Sequence, residues 1–265
     1  MTIYGYTPML IFFTAVAFVF GTCMGSFLNC AAYRAVRGES FLKGRSRCTS
    51  CGHDLAAKDL IPVLSWLSTG GKCRYCGAKV SARYPVTEIA FGVITVLCLL
   101  RFDLTVLCLR NYVFLCVLFV LTLTDIDAMI IPDGCHIIAV AAWIAAEPFI
   151  FTGWGHVISH VAAGLIYGGG LLGMSLILDR IMGRDTLGGG DIKLTAVSGL
   201  YLGIIGTLFM LIFACLGGLL FNLMIKSRSS DEGAAFPFGP WIAAASALML
   251  LYGEPLINWY QNLLI

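Results

Sequence analysis

The chain has 265 residues, 59% hydrophobic and only 12% charged, with a mean hydropathy of +0.89 and a formal net charge of +2. A soluble domain carries about a quarter charged residues, so a soluble globular protein is excluded and a polytopic membrane protein is indicated. The net charge identifies no partner, but its distribution is informative.

The N-terminal stretch MTIYGYTPMLIFFTAVAFVFGTCMGSF has no basic start and no clean small-residue cleavage site. It reads as a retained first span over roughly 8–30. A long polar segment follows. Of the 17 Lys and Arg residues, ten lie between Tyr33 and Pro85, against three acids. The positive-inside rule places this segment in the cytoplasm and the N-terminus outside. Further spans are expected at roughly 85–100, 112–131, 135–152 and 157–178. The polar loop 179–191 comes next, and its Asp179 and Asp185 are read as solvated. Residues 194–225 are too long for one crossing and are expected to form two short spans, broken near Gly203 or Gly206. Lys226 and Arg228 open another polar loop. A last span runs to about residue 253, with an interfacial tail anchored by Trp259 and Tyr260. This gives an all-α polytopic membrane protein of about eight spans. The basic segment, the Asp125 end, the 179–191 loop and the Lys226–Arg228 loop all fall on the cytoplasmic side. Arg101 and Arg110 fall on the outer side. The expected divisions are a first span at 1–32, a cytoplasmic domain at 33–85 and a membrane domain at 86–265. No nucleic-acid partner and no internal repeat are expected.

The basic segment contains CTSC (Cys48, Cys51) and CRYC (Cys73, Cys76). Each C-x2-C pair brings two thiolates to one ion, and two pairs complete a tetrahedral structural zinc site with no open position. A segment this short buries little core, so a metal staple is physically useful. His53 is not needed as a ligand. The remaining seven cysteines are expected to be small buried hydrophobes.

Asp125, Asp127 and Asp191 lie at or inside spans, where ionisable residues are costly and functional by default. Two carboxylates brought together share a proton, so one activates water as a base and the other protonates the leaving amine. Residues two apart on a helix do not share a face, so periodicity leaves open whether Asp125 or Asp127 partners Asp191. These acids are alternatively helix caps, or partners of Lys193 or Arg184. For Asp133, after Pro132, a turn role is favoured. Gly188, Gly189 and Gly190 before Asp191 permit close backbone approach.

These residues resemble the type IV prepilin peptidases, a branch of the Gly-X-Gly-Asp intramembrane aspartyl proteases. The resemblance rests on GSFLN with Tyr33 and Arg34, the cysteine quartet around DLIPVLSWLSTGGKCRYCG, SARYPVTE (81–88), DIDAMIIPD (125–133), GGGDIKL (188–194) and FPFGP (236–240). It implies that Asp125, seven residues before Pro132, and Asp191 are catalytic, with Gly188, Gly190, Asp127 and Lys193 in support. It implies removal of a short basic leader from prepilins or pseudopilins at the cytoplasmic face of the bacterial inner membrane. It also implies methylation of the new N-terminus with S-adenosylmethionine, an activity associated with the zinc-containing segment. No residue set for the methyl donor is evident, and Glu88 is a candidate by position alone. The principal rival is a non-enzymatic zinc-binding membrane scaffold, which would tolerate loss of the aspartates. A presenilin-like protease would lack the quartet, and a proton-coupled transporter would show no proteolysis.

Overall fold

The computed structural model describes residues 7–40, 44–183, 186–226 and 237–263. Lys43, Arg184, Asp185, Arg228 and Phe236 lie outside the described residues. The helices are α1 (Thr7–Val36), α2 (Leu64–Ser68), α3 (Arg83–Phe102), α4 (Val106–Ala128), α5 (Asp133–Ile150), α6 (Trp154–Met182), α7 (Gly189–Lys226) and α8 (Gly239–Leu263). Seven of them, all but α2, are long and apolar enough to cross a membrane. The chain divides into two compact units, Met1–Cys108 and Leu109–Ile265.

In the first unit α1 packs on α3. Small residues let the two backbones approach closely: a Cβ on Gly25 would meet Phe91 Cβ at 3.0 Å, and one on Gly92 would meet Thr22 Cγ2 at 2.8 Å. Asn29 on α1 donates to Thr87 Oγ1 on α3 at 2.8 Å. Between these spans lie the four cysteines, a short 3-10 turn (Ala57–Asp59) and α2. The buried Arg34 guanidinium gathers the carbonyls of Ser40, Gly44 and Arg45 and fixes the exit from α1.

In the second unit α7 packs against α5, α6 and α8. Gly203 (φ 68°, ψ −176°) interrupts α7 with a backbone that only glycine adopts readily. Contacts on either side show that the chain reverses there. Before the break, Ser198 pairs with Ser246, so α7 runs parallel to α8. After it, Gly206 lies near Ile257 while Gly217 lies against Trp241, so the second arm runs antiparallel to α8. The expected break near Gly203 or Gly206 is therefore at Gly203, and the seven apolar helices give eight apolar arms.

Three expectations need correction. Arg110 does not precede the third span, which begins at Val106. It lies inside α4, 6% exposed, with Nη1 3.4 Å from Glu147 Oε1 on α5 and its guanidinium over the Tyr201 ring. An opposite charge and an aromatic face are what allow an arginine to be buried there. The tail is not separate, because α8 continues through Pro255 to Leu263. Of the seven scattered cysteines only Cys98 is fully buried, and Cys23 and Cys215 are exposed on apolar helix surface.

Candidate active site

Asp125 closes the last turn of α4, 5% exposed. After it the chain turns through Met129, which takes a positive φ of 53°, with its amide donating to the Asp125 carbonyl at 2.8 Å. This turn delivers Ile131. A Cβ on Gly190 would lie 2.7 Å from Ile131 Cβ, and one on Gly239 would lie 3.2 Å from Ile131 Cδ1. Ile131 is thus a wedge between the starts of α7 and α8. Asp191 sits in the first turn of α7 and is half-buried. The Gly239 backbone amide, at the start of α8, faces the Asp125 carboxylate. A Cβ there would come within 2.7 Å of Asp125 Oδ2, so only glycine fits.

Asp125 and Asp191 are close enough for the charge of one to act on the other. Asp125 Oδ2 and Asp191 Oδ1 are buried and lack hydrogen-bond partners among the described residues. Buried polar atoms without partners are rare in folded proteins. Two helix N-termini, those of α7 and α8, carry their partial positive charge to this point. The arrangement is two acids, a shape restricted by Ile131, and a positive field suited to holding a net negative charge.

The other acids separate from this pair. Asp127 is exposed, on a different face of α4 from the buried Asp125. Lys193 pairs with Asp133 at 2.6 Å, both largely exposed, rather than with either buried acid. Asp179 is not simply solvated: it accepts from the Thr186 amide at 2.7 Å and its hydroxyl at 2.6 Å, tying α6 to the approach to Gly188. Gly239 and Ile131 carry no chemistry of their own, so residue type does not mark them. The FPFGP and DIDAMIIPD patterns contain them, and that is the signal that could have found them.

The four cysteine Sγ atoms lie within 4.8 Å of one another, with Cys48 and Cys76 at 3.9 Å. Zinc–sulfur bonds of about 2.3 Å in a tetrahedron set sulfurs about 3.8 Å apart, so the site fits zinc. Its two halves share one fold, a local repeat that the sequence reading did not find. The Cys48 amide donates to the His53 carbonyl and the Gly52 amide to Cys48. The Cys73 amide donates to Ala78 and the Gly77 amide to Cys73 in the same way. Gly52 and Gly77 have the same φ of 72°. The amides of Cys51 and Ser50 point at the Cys48 sulfur and bring its pKa down to about 6. The Ala78 amide acts the same way on Cys76, but sulfur–sulfur contacts with Cys73, Cys51 and Cys48 and burial outweigh it, and that thiol rises to about 11. His53 stacks on Tyr75 at 3.7 Å and is not among the ligands. Glu88 is buried, and its Oε2 accepts the Val63 amide at 2.7 Å.

The Bacterial Peptidase A24 N-terminal domain matches residues 19–102, and the Type IV leader peptidase family matches residues 112–223. The chain is 31% identical over 249 residues to the prepilin leader peptidase/N-methyltransferase of Bacillus subtilis (strain 168), covering 93% of this chain and 97% of that one. It belongs to the prepilin leader peptidase/N-methyltransferase family. The Myxococcus xanthus (strain DK1622) member is 33% identical over 222 residues, covering 83% of this chain and 65% of its own length. The Aeromonas salmonicida (strain A449) member is 28% identical over 295 residues, covering 97% and 96%. No solved structure matches the chain. As a member of this family, the chain is a peptidase with methyltransferase activity and a multi-pass protein of the bacterial inner membrane.

Proposed function

We propose that the chain is an intramembrane aspartyl endopeptidase whose dyad is Asp125 and Asp191. The carrying observation is that a buried and a half-buried carboxylate from different helices lie within each other's electrostatic reach, each with a buried oxygen that has no hydrogen-bond partner among the described residues, at two helix N-termini. One carboxylate is ionised and takes a proton from water, which attacks the scissile carbonyl. The other is protonated and gives its proton to the leaving amine. The pair then exchanges roles through its shared proton, so no serine or cysteine nucleophile takes part. Gly188 leaves room for an extended peptide beside Asp191, Gly190 admits Ile131, and Lys193 fixes the start of α7 to α5 through Asp133.

The substrates are prepilins or pseudopilins, in keeping with the names of the relatives. Such a substrate places its apolar helix among the spans and its basic leader at the cytoplasmic face. The excess of Lys and Arg between Tyr33 and Pro85 supports that orientation. Residues 33–85 form the zinc-stapled part, associated with methylation of the new N-terminus by S-adenosylmethionine, and residues 86–265 the peptidase. Cleavage of a co-expressed prepilin is the test. Asp125→Asn and Asp191→Asn, still inserted in the membrane, are expected to leave the precursor uncut, while Asp127→Asn cuts. Cleavage by Asp191→Asn would refute the dyad, and no cleavage by the wild type would favour the scaffold reading.

A further inference from the structure

Outside the dyad and the cysteine site, the segment from Leu60 to Ser68 has the most unexplained surface in the first unit. Leu60, Ile61, Leu64 and Leu67 are 43, 47, 63 and 59% exposed. Leu64 and Leu67 lie on one face of α2, and Leu60 and Ile61 lie in the turn that leads into it; α2 is no membrane span. Contiguous exposed apolar patches mark interaction sites.

The segment is held rather than loose. The Val63 amide donates to Glu88 on α3, and the Trp66 indole donates to the Val80 carbonyl at 3.0 Å. The Trp66 ring covers Gly71, where a Cβ would meet it at 2.8 Å. Val63 itself has φ 61° and ψ −51°, a conformation that β-branched residues avoid. Strain of this kind persists only where the surroundings impose it.

The Glu88 bond also fixes a depth. The 20 residues of α3 cover about 30 Å, the whole hydrocarbon thickness. Glu88 is in the second turn, about 7 Å from the helix start. Val63, hydrogen-bonded to it, therefore sits near the boundary between headgroups and acyl chains rather than in bulk water. The charge nearby is positive. Lys58 lies two positions before the segment, and Lys72 and Lys79 follow it, paired across a β-bridge, all three exposed. Of the acids here, Asp59 is taken up by Arg74 and Tyr75, and Glu88 is buried against the Val63 amide.

We propose that this segment is an interfacial foot. Leu60, Ile61, Leu64 and Leu67 seat in the anionic cytoplasmic leaflet while Lys58, Lys72 and Lys79 meet its headgroups. The occupant is lipid. The foot rests on the orientation given above but is independent of the dyad chemistry. It holds the zinc-stapled unit at the membrane surface.

The test uses the full chain, with photoreactive benzoylphenylalanine in place of Leu64 or Leu67, in vesicles of phosphatidylethanolamine and phosphatidylglycerol. The exposed knuckle position Ser50 serves as control. Phospholipid adducts are expected about fivefold or more above the control, falling at least about twofold when phosphatidylcholine replaces phosphatidylglycerol. Adducts no more frequent than at Ser50, or adducts to a co-reconstituted prepilin instead of lipid, would overturn the proposal. In addition, the Leu64→Ser/Leu67→Ser double variant is expected to keep its zinc and its cleavage rate and to lose methylation about tenfold. Unchanged methylation, or equal loss of both activities, counts against the foot. Failure of the dyad would show instead as cleavage by Asp191→Asn, which involves none of these positions.

Discussion

Gly239→Ala tests the active-site geometry more sharply than removing an acid. The added methyl would lie 2.7 Å from Asp125 Oδ2 and 3.2 Å from its Cγ. Ordinary contact starts at about 3.4 Å, so the carboxylate must yield by about 0.7 Å. It cannot yield toward Ile131, whose Cδ1 would already lie 3.2 Å from the same methyl. Both charge and proton remain, and only position changes. Misplacing a reacting group by about 1 Å costs about a hundredfold, so kcat/KM for cleavage should fall by about ten- to a hundredfold. The assay is mass-resolved cleavage of a purified prepilin in detergent or nanodiscs. Zinc content and thermal unfolding report on integrity. Gly134→Ala, where a Cβ meets nothing within 4 Å, is the matched control and should cut normally. If Gly239→Ala cuts at the wild-type rate while Asp125→Asn is dead, the carboxylate does not act from where the structure places it.

Two further outcomes follow from buried charge and from the thiols. Glu147→Leu alone leaves Arg110 buried without its partner and should cost about 3–5 kcal/mol, while the double variant Arg110→Leu/Glu147→Leu should recover most of it. Thermal unfolding of the four-member cycle reads this, and additive losses would refute it. Zinc loading of the apo site at pH 7.5 should release fewer than four protons. Cys48, lowered to about 6, has already lost its proton there, whereas Cys76, raised to about 11, must give one up. As pH falls through about 6, Cys48 takes up a proton and zinc affinity drops further. Release of four protons, measured with a pH indicator, would contradict the sulfur environments described.

The spans were legible because hydropathy is a long-window signal, although the third begins six residues before its expected place. The break at Gly203 was legible because a run from Gly189 to Lys226 exceeds one crossing. The quartet was legible from spacing alone. Periodicity could not choose between Asp125 and Asp127, because two residues on one helix differ in environment only once the neighbours are known. Burial of Asp125 and exposure of Asp127 make that difference visible. The third span was expected to start after Arg110 because a window of local hydropathy counts a cation as a boundary. The Arg110 partner, Glu147, lies 37 positions away on another helix. Ile131 and Gly239 act by shape, which residue type does not encode.

The reversal at Gly203 sets a length. Its first arm, Gly189–Leu202, rises only about 21 Å, well short of a hydrocarbon core of about 30 Å. The backbone around it is provided for within the protein: the Thr207 hydroxyl donates to the Gly203 carbonyl and the Tyr167 hydroxyl to that of Ile204. Irregular backbone at membrane depth survives only on such terms. Asp191 heads this short arm, so its level in the bilayer is measured from an anchor inside the membrane rather than from the far surface. Acyl-chain length therefore becomes a variable of the enzyme. Thick and thin membranes would present Asp191 at different distances from the headgroups, and so change cleavage if the proposed dyad acts there.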